Sequence, residues 1–357
     1  MTERVRAELQ RAERATLAFD LATIDSNLAA VATAARAHNI RVLFAAKSFP
    51  HPRVLGLAAH HLDGFDVAST GELDAVRALC QARPGSAIIS IFDPTGRAAS
   101  APASTHARTI ASIETPERLA SAPPHADIAI RVSASITGRD PAIGAILDGT
   151  GHRRSRFGLD DRAAIAELVQ LARGRRLGLH IHHGPVTATS AERFVASSLA
   201  ALALVDFEPA FLNLGGAWHG IVDLPGALAT IRGAVPRSIE LLIEPGRLFA
   251  ANAGFAAGIV TAKRSIGERE LRVTDLSRAC HLRWSPVDLI APAPHPGRGV
   301  KTLVVGPTCY EEDTLGEWTI DPIHLDERVL LRDVPGYALA WNTGFAGIPP
   351  ADVVLVA

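Results

Sequence analysis

A chain of 357 residues, 48% hydrophobic and 20% charged, has the composition of an ordinary globular protein, long enough for one large domain with a smaller companion and needing no disulfide or metal staple. A formal net charge of −1 speaks against a nucleic-acid groove or a polybasic membrane patch. The three cysteines, Cys80, Cys280 and Cys309, show no CxxC spacing, the charged N-terminus has no apolar targeting core, and no run approaches the roughly 18 apolar residues of a membrane span, so a cytoplasmic protein is expected.

In chain order, ATLAFDL (15–21) reads as a strand. It is followed by a helix over 25–39 that opens on an Asp/Ser cap. Short apolar runs then recur: RVLFAA (41–46), GFDVA (64–68), SAIISIF (86–92), ARTIASI (107–113), DIAIRVS (127–133), RLGLHIH (176–182), FLNLGG (211–216) and IELLIEP (239–245). Most are apolar throughout, as parallel strands buried on both faces are. Helical stretches lie between them: 70–82, opening on Thr70; 160–174, closing on Gly174; and 190–206. Eight strand–helix alternations predict an α/β fold, a (β/α)8 TIM-type barrel over 22–255. A doubly wound open sheet is the alternative, but no GxGxxG is present to support it. Beyond 255, GIVTAKR, RELRVTDLS, KTLVVGPT, YALAWNT and DVVLVA read as strands between Gly/Pro-rich turns. Residues 256–357, with 1–21, are therefore expected to form a C-terminal β domain.

In such a barrel the chemistry sits where strands end. The polar residues there are Lys47, Asp66, Arg131, the histidines of HIHHG (180–184), Gly215 and Gly216, and the Glu244–Arg247 turn. A lysine closing an apolar strand is either a nucleophilic amine with a lowered pKa, suited to condensing with an aldehyde, or a side chain snorkelling to solvent. Glu244 could keep a pyridine nitrogen protonated, or be one half of a turn ion pair with Arg247. Gly215, Gly216 and Arg247 could receive a phosphate. His182 could stack on a flat ring. Because His180 and His182 share a strand face, a metal is the competing reading, but no carboxylate or cysteine ligands are evident beside them, and none is expected.

Together these blocks resemble a known family. AAKSFPHPRVL (45–55), GFDVASTGEL (64–73), RRSRFGLD (153–160), GLHIHHG (178–184), LNLGGAW (212–218), IEPGRLFAANAG (243–254) and GPTCYEEDTL (306–315) are similar, in order, to the cofactor-binding blocks of fold-type III pyridoxal 5′-phosphate decarboxylases acting on ornithine or diaminopimelate. The resemblance implies that Lys47 holds pyridoxal phosphate covalently, with Asp66 and Arg131 supporting the lysine and the ring surroundings. It implies His182 on the ring face, Gly215, Gly216 and Arg247 on the phosphate, and Glu244 at the pyridine nitrogen. It places Cys309 in proton transfer across a homodimer interface, and Tyr310 and Asp313 on the substrate side. The expected activity is removal of the α-carboxylate of a small-molecule amino acid, with no nucleic-acid or membrane partner.

The chain departs from the family pattern at several points. Pro185 replaces a phosphate-binding serine, Ala217 replaces a third glycine, and NTGFAG (342–347) offers Phe345 or Ala346 where relatives place a tyrosine. Tyr310 stands where relatives acting on diamines carry an acid, so plain ornithine, lysine or diaminopimelate is not expected. His183, His219, Arg278 and His281 suggest a substrate with an extra carboxylate. A non-catalytic pyridoxal-phosphate-binding protein is the alternative. A racemase is a lesser one, since racemases of this fold place an arginine where Glu244 stands.

Overall fold

A computed structural model describes residues 1–83, 85–100, 107–133, 157–182, 190–294 and 299–357. The chain divides into two compact units: Leu28–Lys47 with His51–Leu248, and Met1–Asn27 with Ser48–Pro50 and Phe249–Ala357.

The first unit is the expected barrel. Its strands are β2 (Ile40–Ala45), β3 (Gly64–Val67), β4 (Ile88–Ile91), β5 (Arg108–Ile113), β6 (Asp127–Val132), β7 (Leu177–Ile181), β8 (Phe211–Asn213) and β9 (Glu240–Ile243). Each pairs in parallel with the next, and β2 pairs with β9 to close the ring. One core layer inside it consists of Leu43, Ile88, Ile110, Ala129, Phe211 and Leu242, all buried. Phe211 has room because residue 178, on the neighbouring strand, is glycine: a Cβ there would lie 2.4 Å from the phenyl ring. At the N-terminal end of the barrel, Arg108 and Arg176 lie over Phe211, 5.4 and 5.1 Å from its centroid. Each guanidinium also bridges Asp127 and Glu240, at 2.7–2.9 Å.

Side chains alternate along a strand, so residues two apart share a face. Two positions beyond the core layer, toward the C-terminal ends, come Ser90, Ser112, Arg131, Asn213 and Glu244. Gly64 and Gly178 are followed at the same interval by Asp66 and His180. The polar set therefore lines the barrel mouth.

Local capping refines the expected boundaries. The helix expected from residue 25 begins at Leu21, because the Asp20 carboxylate accepts from the N–H groups of Ala22 and Thr23. The helix Thr70–Gln81 is capped by Ser69 rather than Thr70. Ser69 Oγ accepts from Glu72 N, while Glu72 reaches back to accept from the N–H of Ala68, one residue before the cap.

The second unit is mainly β. β1 (Thr16–Asp20) pairs antiparallel with β10 (Gly254–Ile266) and parallel with β16 (Asp352–Val356). The remaining strands are β11 (Arg269–Thr274), β12 (Asp288–Ala291), β13 (Val300–Val305), β14 (Thr314–Ile320) and β15 (Arg328–Arg332). They join in the order β12-β15-β10-β11-β13-β14. An N-terminal helix, Glu3–Arg11, buries Val5 and Leu9 with Ala18, Phe255, Ala257 and Leu330. The strand expected over 337–343 is instead a helical turn, Tyr337–Ala340. Pro335 and Gly336 turn the chain, and Trp341 N–H donates to Tyr337 O rather than to a ladder. Among the described residues no helix is long and apolar enough to cross a membrane.

Phe211 fills the barrel between Gly178 and two guanidinium groups, so Phe211→Ala should cost about 3–5 kcal/mol, read from the urea unfolding midpoint.

Candidate active site

Lys47 lies in the short 3-10 turn Ala46–Ser48 that follows the first barrel strand, and its Nζ lies 2.6 Å from Asp66 Oδ2. The lysine side chain keeps 38% of its exposure, whereas Asp66 is buried. Burial, reinforced by the charge of Glu244 and only partly offset by Lys47, pushes the Asp66 carboxyl up to about 6. The lysine therefore neither simply snorkels nor stands without a counter-ion.

Glu244 is 3% exposed. Its Oε1 accepts from Asn213 Nδ2 at 2.5 Å and from Ser90 Oγ at 2.9 Å. Burial works against its charge, yet His180, Lys47 and the Asn213 amide outweigh it and hold the carboxyl below the usual range. Arg131, also buried, stacks its guanidinium 4.3 Å from the Phe92 centroid and reaches His180 Nε2 at 2.9 Å. The same guanidinium nitrogen lies 3.2 Å from His180 Nδ1, which also faces Ser112 Oγ at 2.8 Å, while Nε2 lies 3.5 Å from Glu244 Oε2. Burial and Arg131 bring the His180 pKa down to about 4, so the ring is neutral at pH 7.

His182 is held well below the usual histidine range by burial and by Arg131. Its Nδ1 accepts from Gly216 N at 3.0 Å. The glycines permit this close approach: a Cβ on Gly215 would lie 2.5 Å from His182 Nδ1, and one on Gly216 2.9 Å from Cε1. Gly215 N–H donates to Asn213 Oδ1. Gly215 and Ala217 both have positive φ, 63° and 72°, a left-handed conformation that alanine adopts at a cost of about 1–2 kcal/mol. Arg247 is half-buried in the turn after Glu244 and helps to lower the pKa of His219, which follows this loop.

The expectation that no carboxylate stands beside the histidines is corrected. His180, His182 and Glu244 place ligand atoms within 4.8 Å of one another. Barrel closure brings Glu244 there from two strands away, which linear spacing does not reveal. A dication would nevertheless meet Arg131, already donating to His180, and the Lys47 ammonium. An amine on a strand end, a buried carboxylate, an imidazole face, a glycine loop and a guanidinium instead suit a flat, phosphorylated pyridine aldehyde, so the residues present fit pyridoxal phosphate.

Cys309, Tyr310 and Asp313 lie in the other unit, on the loop between β13 and β14. Cys309 is exposed. Tyr310 is 50% exposed and donates to Glu312 Oε2 at 2.9 Å. Asp313, expected on the substrate side, is buried and accepts from Ser277 Oγ, Arg278 N, Ala279 N and Thr308 Oγ. The cations invoked for a substrate carboxylate are partly spent. His281 is buried between Ser277 N and Pro349 O, and Arg278 donates to Thr314 O and Ser285 O. His183 and Pro185 lie outside the described residues. Ser90, Ser112 and Asn213 complete the mouth without having been singled out from sequence. The available signal was a polar residue inside an otherwise apolar run, which does not tell whether it faces the lumen.

The family described as pyridoxal-dependent decarboxylase, pyridoxal binding domain, matches residues 21–251. Diaminopimelate decarboxylase of Deinococcus radiodurans is 27% identical over 330 residues, covering 88% of this chain and 83% of the relative. That of Pseudomonas aeruginosa is 25% identical over 379 residues, covering 96% and 87%. Among solved structures, a lysine/ornithine decarboxylase complexed with putrescine from Vibrio vulnificus superposes with a TM-score of 0.79 at 17% identity, covering 99% of this chain and 97% of that one. A lysine decarboxylase from Selenomonas ruminantium gives 0.73 at 21% identity, covering 99% and 96%.

An exposed aspartate loses its proton near pH 4, and Asp66 in the folded chain near 6. Between these values the folded state holds a proton that the unfolded state has released. Raising pH across the window should therefore cost stability, with a slope of up to about 1.4 kcal/mol per pH unit. Melting temperatures from pH 4 to 6 should show this fall, and Asp66→Asn should flatten it.

Proposed function

Because the chain belongs to the pyridoxal-dependent decarboxylases and is a pyridoxal-phosphate-dependent amino-acid decarboxylase, we propose that it removes the α-carboxylate of a substrate other than plain ornithine, lysine or diaminopimelate, one bearing an extra carboxylate. The observation that carries the decarboxylase chemistry is the buried Glu244, held ionised by Asn213 and Ser90 opposite the Lys47–Asp66 pair. Tyr310, at the position where an acid would meet a distal amine, supports the narrower substrate reading.

On this reading Lys47 holds the cofactor covalently, with Asp66 as its counter-ion. His182 offers its ring to the cofactor face, and Arg131 fixes the neutral His180 beneath it. Gly215, Gly216 and Arg247 face the phosphate. Bound there, pyridoxal phosphate withdraws electrons from the bond to the departing carboxylate. Glu244 keeps the pyridine nitrogen protonated, which an arginine at this position, as in racemases, would not do. The protein works in the cytoplasm as a homodimer, and Cys309, exposed on its loop, returns a proton to the carbon that has lost carbon dioxide.

Purified protein with added pyridoxal phosphate should show a visible absorption band that borohydride abolishes while labelling Lys47. Lys47→Ala should lose that band, and an unchanged spectrum in the variant refutes the assignment. Cys309→Ala should keep the band but slow carbon dioxide release at least tenfold. Wild-type turnover in that variant removes the thiol from the reaction.

A further inference from the structure

We infer that the β unit carries a pocket for a flat, π-rich group bearing a negative charge. On the reading of the previous subsection, this group is the side-chain end of the substrate.

The pocket has a volume of about 580 Å³, and its walls include Arg283, Trp284, Tyr310, Trp341 and Phe345. Trp284, Tyr310 and Phe345 are each half-exposed or more, at 54, 50 and 55%. Gathered around one cavity, these aromatic side chains offer flat apolar faces to a ligand. Trp284 moreover has φ +63°, a conformation that a bulky side chain rarely adopts and that is retained where the surroundings aim it for use. Its ring meets that of Trp341 at 4.9 Å and 73°, so the two indoles form a corner rather than a closed stack. Among the described residues neither indole N–H has an acceptor.

Arg283 supplies the charge. Its guanidinium lies 4.8 Å from the Trp341 centroid. Among the described residues it has no carboxylate within ion-pairing distance. Arg278, lining the same pocket, is by contrast spent on two backbone carbonyls. The pocket's one acid, Glu312, accepts the Tyr310 hydroxyl. A guanidinium stacked on an indole still presents its N–H edge, the geometry that receives a carboxylate in bidentate fashion. A linear diamine would meet net positive charge here, whereas an aromatic or otherwise planar carboxylate meets indole faces and a guanidinium together. Tyr310 is the residue after Cys309, so a group held in the pocket lies on the same loop as the exposed thiol.

The test uses the full chain loaded with pyridoxal phosphate, titrated with benzoate and followed by tryptophan emission. Saturable quenching is expected. It should weaken at least tenfold in Arg283→Gln, partly recover in Arg283→Lys, and be much weaker with benzyl alcohol. No saturable response, or one indifferent to both substitutions, overturns the pocket. So does gel filtration in which Arg283→Gln changes subunit association, because the aromatic cluster would then be a subunit contact. A second arm compares carbon dioxide release from 4-carboxyphenylalanine and phenylalanine. Arg283→Gln should raise KM for the first at least tenfold and leave the second unchanged. Benzoate binding with no release from any amino acid keeps the pocket and sinks the decarboxylase reading. Release without benzoate binding does the reverse.

Discussion

A carboxylate that is 3% exposed can keep its charge only if its neighbours replace the water it has lost, and Glu244 sets this demand on the whole barrel mouth. Asn213 and Ser90 donate to one of its oxygens. Burial and the neighbouring Arg131, which donates to His180, keep that imidazole neutral. Lys47 contributes a positive charge that is itself balanced by Asp66. The result is a layer of charges and hydrogen bonds in which each buried group depends on its neighbours. Such a layer costs stability, and its retention in the interior marks where the fold serves chemistry rather than packing.

The pleat separates the two tasks. On β4, β5, β6, β8 and β9 one inward position carries the core layer, and the next inward position carries the polar layer. The apolar layer around Phe211 and the arginine bridges below it close one end of the barrel, leaving the other end to the reactive groups. Glycine enters where side chains must approach closely: Gly178 beside Phe211, and Gly215 and Gly216 beneath His182. Ala217 holds a left-handed φ of 72° that a glycine would take with less strain.

In the β unit the comparable organising residue is Asp313. Its carboxylate gathers donors from Ser277, Arg278, Ala279 and Thr308, tying the segment that bears Arg283 and Trp284 to the loop that bears Cys309 and Tyr310. A Cβ on Gly306 would lie 2.3 Å from this carboxylate. The conspicuous acid of the GPTCYEEDTL block thus shapes the loop, and the pocket chemistry falls to side chains beside it.

Local and periodic information sufficed for the eight strands and the strand-end positions of Lys47 and Glu244, because apolar runs punctuated by polar ends are a property of adjacent residues; the family resemblance rested on the ordered motif blocks. The same uniform apolarity concealed which parity of each strand faces the lumen. Ser90, Ser112 and Asn213 therefore became legible only once the barrel closed. The meeting of His180, His182 and Glu244 depends on strands separated by tens of residues. The helix at Tyr337–Ala340 depends on a turn that a short β-like pattern does not reveal. The sequence by itself determined the architecture, the cofactor and the reaction class. Tertiary structure decided which buried groups keep their charge, and which cations remain unspent, because both depend on neighbours that are distant along the chain.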